Sequence, residues 1–264
     1  ALINASLSGC DKIVQLLLDK GANVNAKQKT TGFTALIAAV YNNNIEIAST
    51  LIRHGADIHE KSVKGQTALR FAVKHIDARL VQLLLENGAN PNDRTDNGDT
   101  ALMAAAMYAN PKMARILLDN GARADMLNAK GFSALTIAAV LGNTEMVEFL
   151  FKRDTVLYNQ KPDIVALAFF AALMAGRTET LRTLISQGVN LDSLIAENGM
   201  TPLIAAVQQG HIEIVKLLTE NGANIFAHTK DGTTALTTAA QKGYSEIERY
   251  LLAQIGPLMI SIPG

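Results

Sequence analysis

Apolar and polar positions follow a helical period along this chain, most clearly in residues 199–222. Gly199 permits a turn, because glycine adopts positive φ without steric cost. Thr201 can cap the short apolar helix that the pattern predicts over 203–207. A second helix is predicted over 212–219, with its apolar residues on one face. Two helices of about two turns each cannot bury these faces alone, so the pattern predicts stacking on similar helix pairs.

The glycine and threonine of this segment recur at a nearly constant interval. The turn glycines are Gly32, Gly65, Gly98, Gly131, Gly199 and Gly232. They lie 33 residues apart except for one gap of 68, which predicts one degenerate repeat that lacks its glycine. Two positions after each glycine stands a residue that can cap the next helix: Thr34, Thr67, Thr100, Ser133, Thr201 and Thr234.

A 33-residue period with a turn, two short helices and a closing Gly-Ala resembles the ankyrin repeat, and the resemblance covers essentially the whole chain. It implies an all-α solenoid of about eight helix-turn-helix repeats joined by hairpin loops, with an irregular sixth. We expect one repeat domain over 1–264, divided into a partial repeat 1–26, repeats 27–60, 61–93, 94–126 and 127–153, an irregular repeat 154–192, repeats 193–227 and 228–256, and a tail 257–264. The tail breaks the pattern and is expected to cover the end of the stack. Because the sequence begins inside a repeat, we expect a longer parent protein.

The sequence departs from the family pattern Thr-Pro-Leu-His at two positions. Alanine replaces the proline in every clear repeat except at Pro202. This substitution favours a bacterial source. The histidine is replaced throughout, by Ile37, Arg70, Met103, Thr136, Ile204 and Thr237. The helices should survive, since alanine is a good helix former, but the hydrogen bonds of the family's histidine are put in doubt.

The irregular repeat is the second informative region. Residues 151–162 lack both the Gly-Ala ending and the Gly-x-Thr start, which predicts an irregular loop in place of the hairpin. An inner helix that is apolar on every side should follow over Ile164 to Ala175. Such a segment is too short to cross a bilayer, which needs about 20 residues, so we expect a buried helix. A bend in the stack, or a docking point exposed by the missing hairpin, is the alternative.

Composition restricts the classes of partner and the compartment. The chain has 24 basic and 24 acidic residues without a basic block, which argues against nucleic acid. A long apolar run, a signal peptide and a lipidation motif are all missing from the sequence, which argues against a membrane partner. The single Cys10 cannot form an internal disulfide and favours the cytoplasm. Secretion into a host cell and a periplasmic location are the alternatives.

Catalytic patterns are missing from the sequence. Nucleophilic catalysis needs a serine or cysteine held against a histidine, and Cys10 has no histidine near it in sequence. His54 and His59, with Asp57 and Glu60, are the only clustered metal-ligand types, but they flank a loop glycine and lack the helical spacing of a zinc site. We therefore predict no enzyme, no cofactor and no metal site.

The resemblance implies a binding surface formed by the hairpin tips and the exposed ends of the inner helices, which together line the concave face. Carried over to this sequence, the candidate partner-binding residues are Phe33, Tyr41, Gln66, Lys74, His75, Asp99, Met107, Tyr108, Phe132, Leu141, Met200 and Gln208. Exposed apolar groups in the fourth and fifth repeats, including Val140, predict the centre of the interface there. Packing of Val140 and Leu141 against 154–162 is the alternative.

These observations predict a non-catalytic, monomeric protein–protein interaction module that binds a partner protein on its concave face. Rigid stacking would hold the contact side chains in place and reduce the entropy lost on binding. A bacterial source would make it an effector, inhibitor or adaptor. Two other classes remain: a structural or self-assembling part of a larger protein, and a ligand-binding or enzymatic role that uses 154–176 or a domain outside this chain.

Overall fold

A computed structural model describes residues 1–75, 77–191, 194–196 and 198–260, without the side chains of 257–260. Within these ranges the regular elements are all helices, joined by turns and two isolated β-bridges. The predicted all-α fold is confirmed. The chain divides into two compact units, 1–134 and 135–264. The predicted boundary at 192/193 lies outside the described residues, and the repeat boundaries as a whole stay predictions.

The N-terminal compact unit consists of four helix pairs, each an inner helix followed by an outer helix. The helices are α1 (Leu2–Leu7), α2 (Asp11–Asp19), α3 (Ala35–Tyr41), α4 (Ile45–Arg53), α5 (Ala68–Lys74), α6 (Ala78–Glu86), α7 (Ala101–Met107) and α8 (Pro111–Asp119). The inner helices α1, α3, α5 and α7 pack side by side in one row, and the outer helices α2, α4, α6 and α8 form a second row. Fully buried aliphatic side chains of the outer helices recur at the same repeat position: Leu51, Leu84 and Leu117.

The C-terminal compact unit, described by itself, has the same plan of inner and outer helices with one additional helix. Its helices are α9 (Ala134–Leu141), α10 (Thr144–Arg153), α11 (Thr155–Gln160), α12 (Pro162–Met174), α13 (Thr178–Ser186), α14 (Pro202–Gln208), α15 (Ile212–Glu220), α16 (Ala235–Lys242) and α17 (Ser245–Ile260). The inner helices α12, α14 and α16 pack in a row, as do the outer helices α10, α13, α15 and α17. The helices predicted over 203–207 and 212–219 are confirmed to within one residue at each end.

The predicted caps explain where the inner helices begin. The hydroxyl oxygen of each capping threonine accepts a hydrogen bond from the backbone N–H three residues later, at donor–acceptor distances of 3.1–3.4 Å. The threonines in this role are Thr34, Thr67, Thr100, Thr201 and Thr234. Each cap satisfies one N–H that the first helical turn leaves without a partner.

Backbone hydrogen bonds connect successive hairpin tips. In the N-terminal compact unit the carbonyl oxygens of Thr31, Lys64 and Asn97 accept from the backbone N–H groups of the next tip, at 2.9, 3.3 and 2.9 Å. In the C-terminal compact unit the N–H of Lys230 donates to the carbonyl of Asn198 at 2.9 Å. The tips are therefore held in register by the main chain, whatever side chains they carry.

The irregular repeat differs from its prediction. Where an irregular loop was expected, α11 is a helix whose N-cap, Asp154, accepts from the N–H of Leu157 at 3.0 Å. Tyr158 is buried and its ring stacks on Phe151, with centroids 5.3 Å apart. The following inner helix begins at Pro162, two residues before the predicted start, because proline is favoured in the first helical turn.

Candidate protein-binding face

Five of the predicted concave-face residues of the N-terminal compact unit are apolar or aromatic side chains that remain partly exposed. Tyr41 is 43% exposed, Met107 42% and Tyr108 40%, although they stand next to inner-helix residues that are fully buried, such as Val40 and Ala106. Phe33 and Phe132 are half-buried at the hairpin tips. Aromatic side chains held at a surface in this way are typical of the centres of protein interfaces.

Three aromatic rings from two successive repeats pack on one another at this face. The ring centroids of Phe33 and Tyr41 lie 5.6 Å apart, those of Phe33 and Phe71 5.4 Å, and those of Tyr41 and Phe71 5.6 Å. All three pairs are tilted or edge-on, the arrangements that the ring quadrupoles favour. The Nζ of Lys74 lies 5.9 Å from the Tyr41 centroid, within cation–π range. We call these four residues the aromatic–lysine cluster.

The sequence reasoning missed Phe71. The repeat positions predicted Phe33 and Tyr41 as contact residues but not Phe71. Phe71 occupies the position held by Ala38, Ala104 and Ala205 in other repeats, and this substitution of a large ring for a small residue is the signal that could have identified it.

Other predicted positions of this compact unit are constrained by the hairpins. The carboxylate of Asp99 accepts from the side-chain amide of Asn128 at 2.8 Å. The backbone N–H of Gln66 donates to Ser62 Oγ at 3.2 Å, and that of Phe132 to Asn128 Oδ1 at 3.0 Å. His75 is half-buried at the end of α5, and its Nε2 is buried without a hydrogen-bond partner in the described structure. Lys74 beside it is exposed.

In the C-terminal compact unit, Met200 and Gln208 lie on one cleft of about 260 Å³ between two hairpin tips. The cleft is otherwise polar, and the rest of its lining is Asn198, Thr229, Lys230, Asp231 and Thr233. The Thr229 hydroxyl and then Thr233 donate hydrogen bonds to Asp231 and hold the pKa of its carboxyl below the usual value. The cleft therefore offers the carboxylate of Asp231, the ammonium of Lys230 and the side-chain amide of Gln208.

Leu141 and its neighbour differ in exposure. Leu141 is 45% exposed at the end of α9, whereas Val140 is half-buried and its carbonyl accepts from Arg177 Nε at 2.9 Å. In the next repeat Met174, at the position of Val140, is 53% exposed. The end of α9 and the end of α12 thus both present apolar side chains to solvent.

The described residues contain no group of three or more His, Cys, Asp or Glu that could hold a metal ion. Across the same residues, every helix is too short or too polar to cross a membrane. Cys10 lies in the turn between α1 and α2.

Comparison with known proteins identifies the class to which this fold belongs. A family model described as "Ankyrin repeats (3 copies)" matches residues 2–95, 69–162 and 168–259. The chain therefore belongs to the ankyrin repeat family, as the sequence predicted. Ankyrin repeats are general protein–protein interaction modules.

Particular relatives share only part of their length with this chain. A B-cell lymphoma 3 protein homolog of Mus musculus is 32% identical over 85 residues, which are 32% of this chain and 19% of that protein. The Notch-regulated ankyrin repeat-containing protein of Xenopus tropicalis is 34% identical over 89 residues, 33% of this chain and 78% of that protein. The human ankyrin repeat and SOCS box protein 11 is 30% identical over 118 residues, 44% of this chain and 34% of that protein.

Proposed function

We propose that this chain is a non-catalytic module that binds one partner protein through its concave face. The observation that carries the proposal is the exposure of large apolar side chains on fixed inner-helix ends, where Tyr41, Met107, Tyr108 and Leu141 are each at least 40% exposed. Patches of this kind on a stable scaffold are typical of interaction sites. Caps and tip-to-tip backbone bonds hold these positions before binding, so little ordering entropy opposes association. Such a module would serve as an effector, inhibitor or adaptor, according to the partner that it holds.

The direct test is an affinity capture from cell lysate with the wild-type chain and with a Tyr108→Asp/Leu141→Asp variant. We expect a partner, identified by mass spectrometry, to be retained by the wild type and lost by the variant, because a buried unpaired carboxylate at an interface centre is costly. Circular dichroism must first show that both chains are folded.

A matched control variant, Ile13→Asp/Leu252→Asp, changes two apolar side chains of outer helices, which are 50% and 51% exposed. It should retain the partner. Loss of the partner with this control, and retention with the concave-face variant, would contradict the proposal.

A cleft in the irregular repeat supports a second function, the binding of a small ligand. This cleft, of about 180 Å³, is bounded by Phe151, Tyr158, Pro162, Val165 and Val189, among other residues. It could hold one aromatic ring, since a cavity of about 150 Å³ binds benzene. Indole should raise the melting temperature of the wild type but not of Val189→Phe, which fills the cleft. An equal shift in both chains would contradict this second function.

A further inference from the structure

The aromatic–lysine cluster has a fixed geometry and an exposed edge. Each of its three rings touches the other two at centroid distances of 5.4–5.6 Å, so their rotamers are set before any partner arrives. Tyr41 nevertheless remains 43% exposed, and the Lys74 side chain at its ring is exposed too. The cluster is therefore a rigid apolar platform with a cation at its border.

The segments that carry the cluster are basic, although the chain as a whole is neutral. Residues 27–42 and 62–75, which form the second and third hairpin tips and inner helices, contain five lysines and arginines and no aspartate or glutamate. The basic residues are Lys27, Lys29, Lys64, Arg70 and Lys74. Lys27 is exposed and paired with Glu60 at the hairpin base, and Lys29, Lys64 and Lys74 are exposed as well.

The next repeat reverses the sign of the charge. Residues 95–108 contain Asp96 and Asp99 and no lysine or arginine, although Arg94 stands directly before them. The carboxylate of Asp96 borders the third tip, where a Cβ atom on Gly65 would be 2.6 Å from its Oδ1, although Asp96 itself belongs to the fourth tip. Asp99 follows on the same tip and is bound to Asn128. A ligand with negative charge would thus be attracted to Lys29 on the second tip and to Lys74, and repelled at Asp96 and Asp99, where the third and fourth tips meet.

We propose that the aromatic–lysine cluster anchors an acidic peptide segment of the partner, which places one large apolar side chain against the exposed edge of Tyr41 and its carboxylates beside Lys74 and Lys29. This inference rests on the proposed function and names the chemistry of the partner. A cationic ligand is disfavoured, because Lys74 already occupies the face of Tyr41. The aromatic platform favours a peptide over a plain polyanion, since phosphate recognition alone needs no ring stack.

The test is selection of a random peptide library, displayed on phage, against the immobilised full chain. We expect the enriched peptides to be rich in Asp and Glu around an apolar or aromatic residue. Synthetic copies of these peptides should bind with a Kd that rises with salt concentration. Tyr41→Ala and Lys74→Glu should each raise this Kd by about tenfold or more, as for a hot spot. Lys74→Gln, which removes only the charge, should raise it less.

Matched variants separate failure of this inference from failure of the proposed function. Ile13→Ala removes an exposed apolar side chain of the outer helix α2 and should leave the peptide Kd within about twofold, since it lies outside the cluster. If the peptides bind Tyr41→Ala as well as the wild type but no longer bind Tyr108→Ala, the inference is overturned. The proposed binding at the concave face would then still stand.

Three other results would also overturn the inference. These are enrichment of neutral or basic peptides, absence of any enriched peptide, and equal binding of a DNA oligonucleotide of the same charge. If Tyr41→Ala lowers the melting temperature, the peptide Kd values of Tyr41→Asn and of the two Lys74 variants test the inference in its place.

Discussion

At the scale of single residues, the fold depends on glycines with two different roles. Gly65 and Gly88 both have positive φ, +70° and +92°. A Cβ atom on Gly65 would lie 2.8 Å from the backbone N of Asp96, whereas a Cβ atom on Gly88 would meet nothing within 4 Å. Gly65 is therefore required both by its backbone conformation and by the close approach of the next hairpin, and Gly88 by conformation alone.

This difference predicts unequal losses of stability from the same substitution. Gly88→Ala should lower the free energy of unfolding by about 1 kcal/mol, the cost of a left-handed non-glycine residue. Gly65→Ala should lower it by about 2 kcal/mol or more, because the backbone of the adjacent tip must also move. Urea denaturation of both variants measures the two losses. Equal losses would show that the tip can shift freely and would contradict the role of the tip-to-tip hydrogen bonds.

At the scale of elements, the sequence predicted regular repeats better than the irregular one. Thr201 and Gly199 mark their helix and turn through local rules of capping and positive φ, so α14 could be located without tertiary information. The segment of α11 has neither a marked apolar period nor a glycine–threonine start. Its helix is stabilised by the burial of Tyr158, whose ring stacks on Phe151 of the preceding helix, a contact that the repeat pattern does not reveal.

The candidate binding site was likewise only partly predictable from the sequence. Phe33 and Tyr41 could be predicted from their repeat positions, but their packing on Phe71 joins two repeats and depends on a contact between distant residues. The lining of one cleft by Met200 and Gln208 likewise requires the next hairpin tip to be in place. The position of a contact residue within its repeat can be predicted from the sequence. The contacts between side chains of different repeats depend on how the repeats pack in the fold.

The anchoring of α11 leads to a prediction for that element. Tyr158→Ala should expose 155–160 to rapid amide hydrogen exchange and lower the free energy of unfolding by about 3–5 kcal/mol, because it removes a buried stacked ring. Hydrogen exchange with mass spectrometry locates the change. Val156→Ala is the matched control on the same helix, since Val156 is 67% exposed and should be nearly neutral. Unchanged exchange over 155–160 in Tyr158→Ala would contradict anchoring by this ring.

At the scale of the whole molecule, the proposal of a monomeric binding module competes with self-assembly. Light scattering during gel filtration should give the mass of one chain, 28.2 kDa, at micromolar concentration. A mass of twice this value or more, lost in Tyr108→Asp/Leu141→Asp, would instead support the structural alternative. It would assign the exposed apolar side chains of the concave face to contacts between copies.

The measurement that tests the central claim most directly is hydrogen exchange of the chain with and without its captured partner. The account predicts protection at the hairpin tips and inner-helix ends, such as 31–42, 64–75 and 97–108, with unchanged exchange in the outer helices α4, α6 and α8. Protection confined to the outer helices or to the irregular repeat, with these segments unaffected, would contradict binding at the concave face.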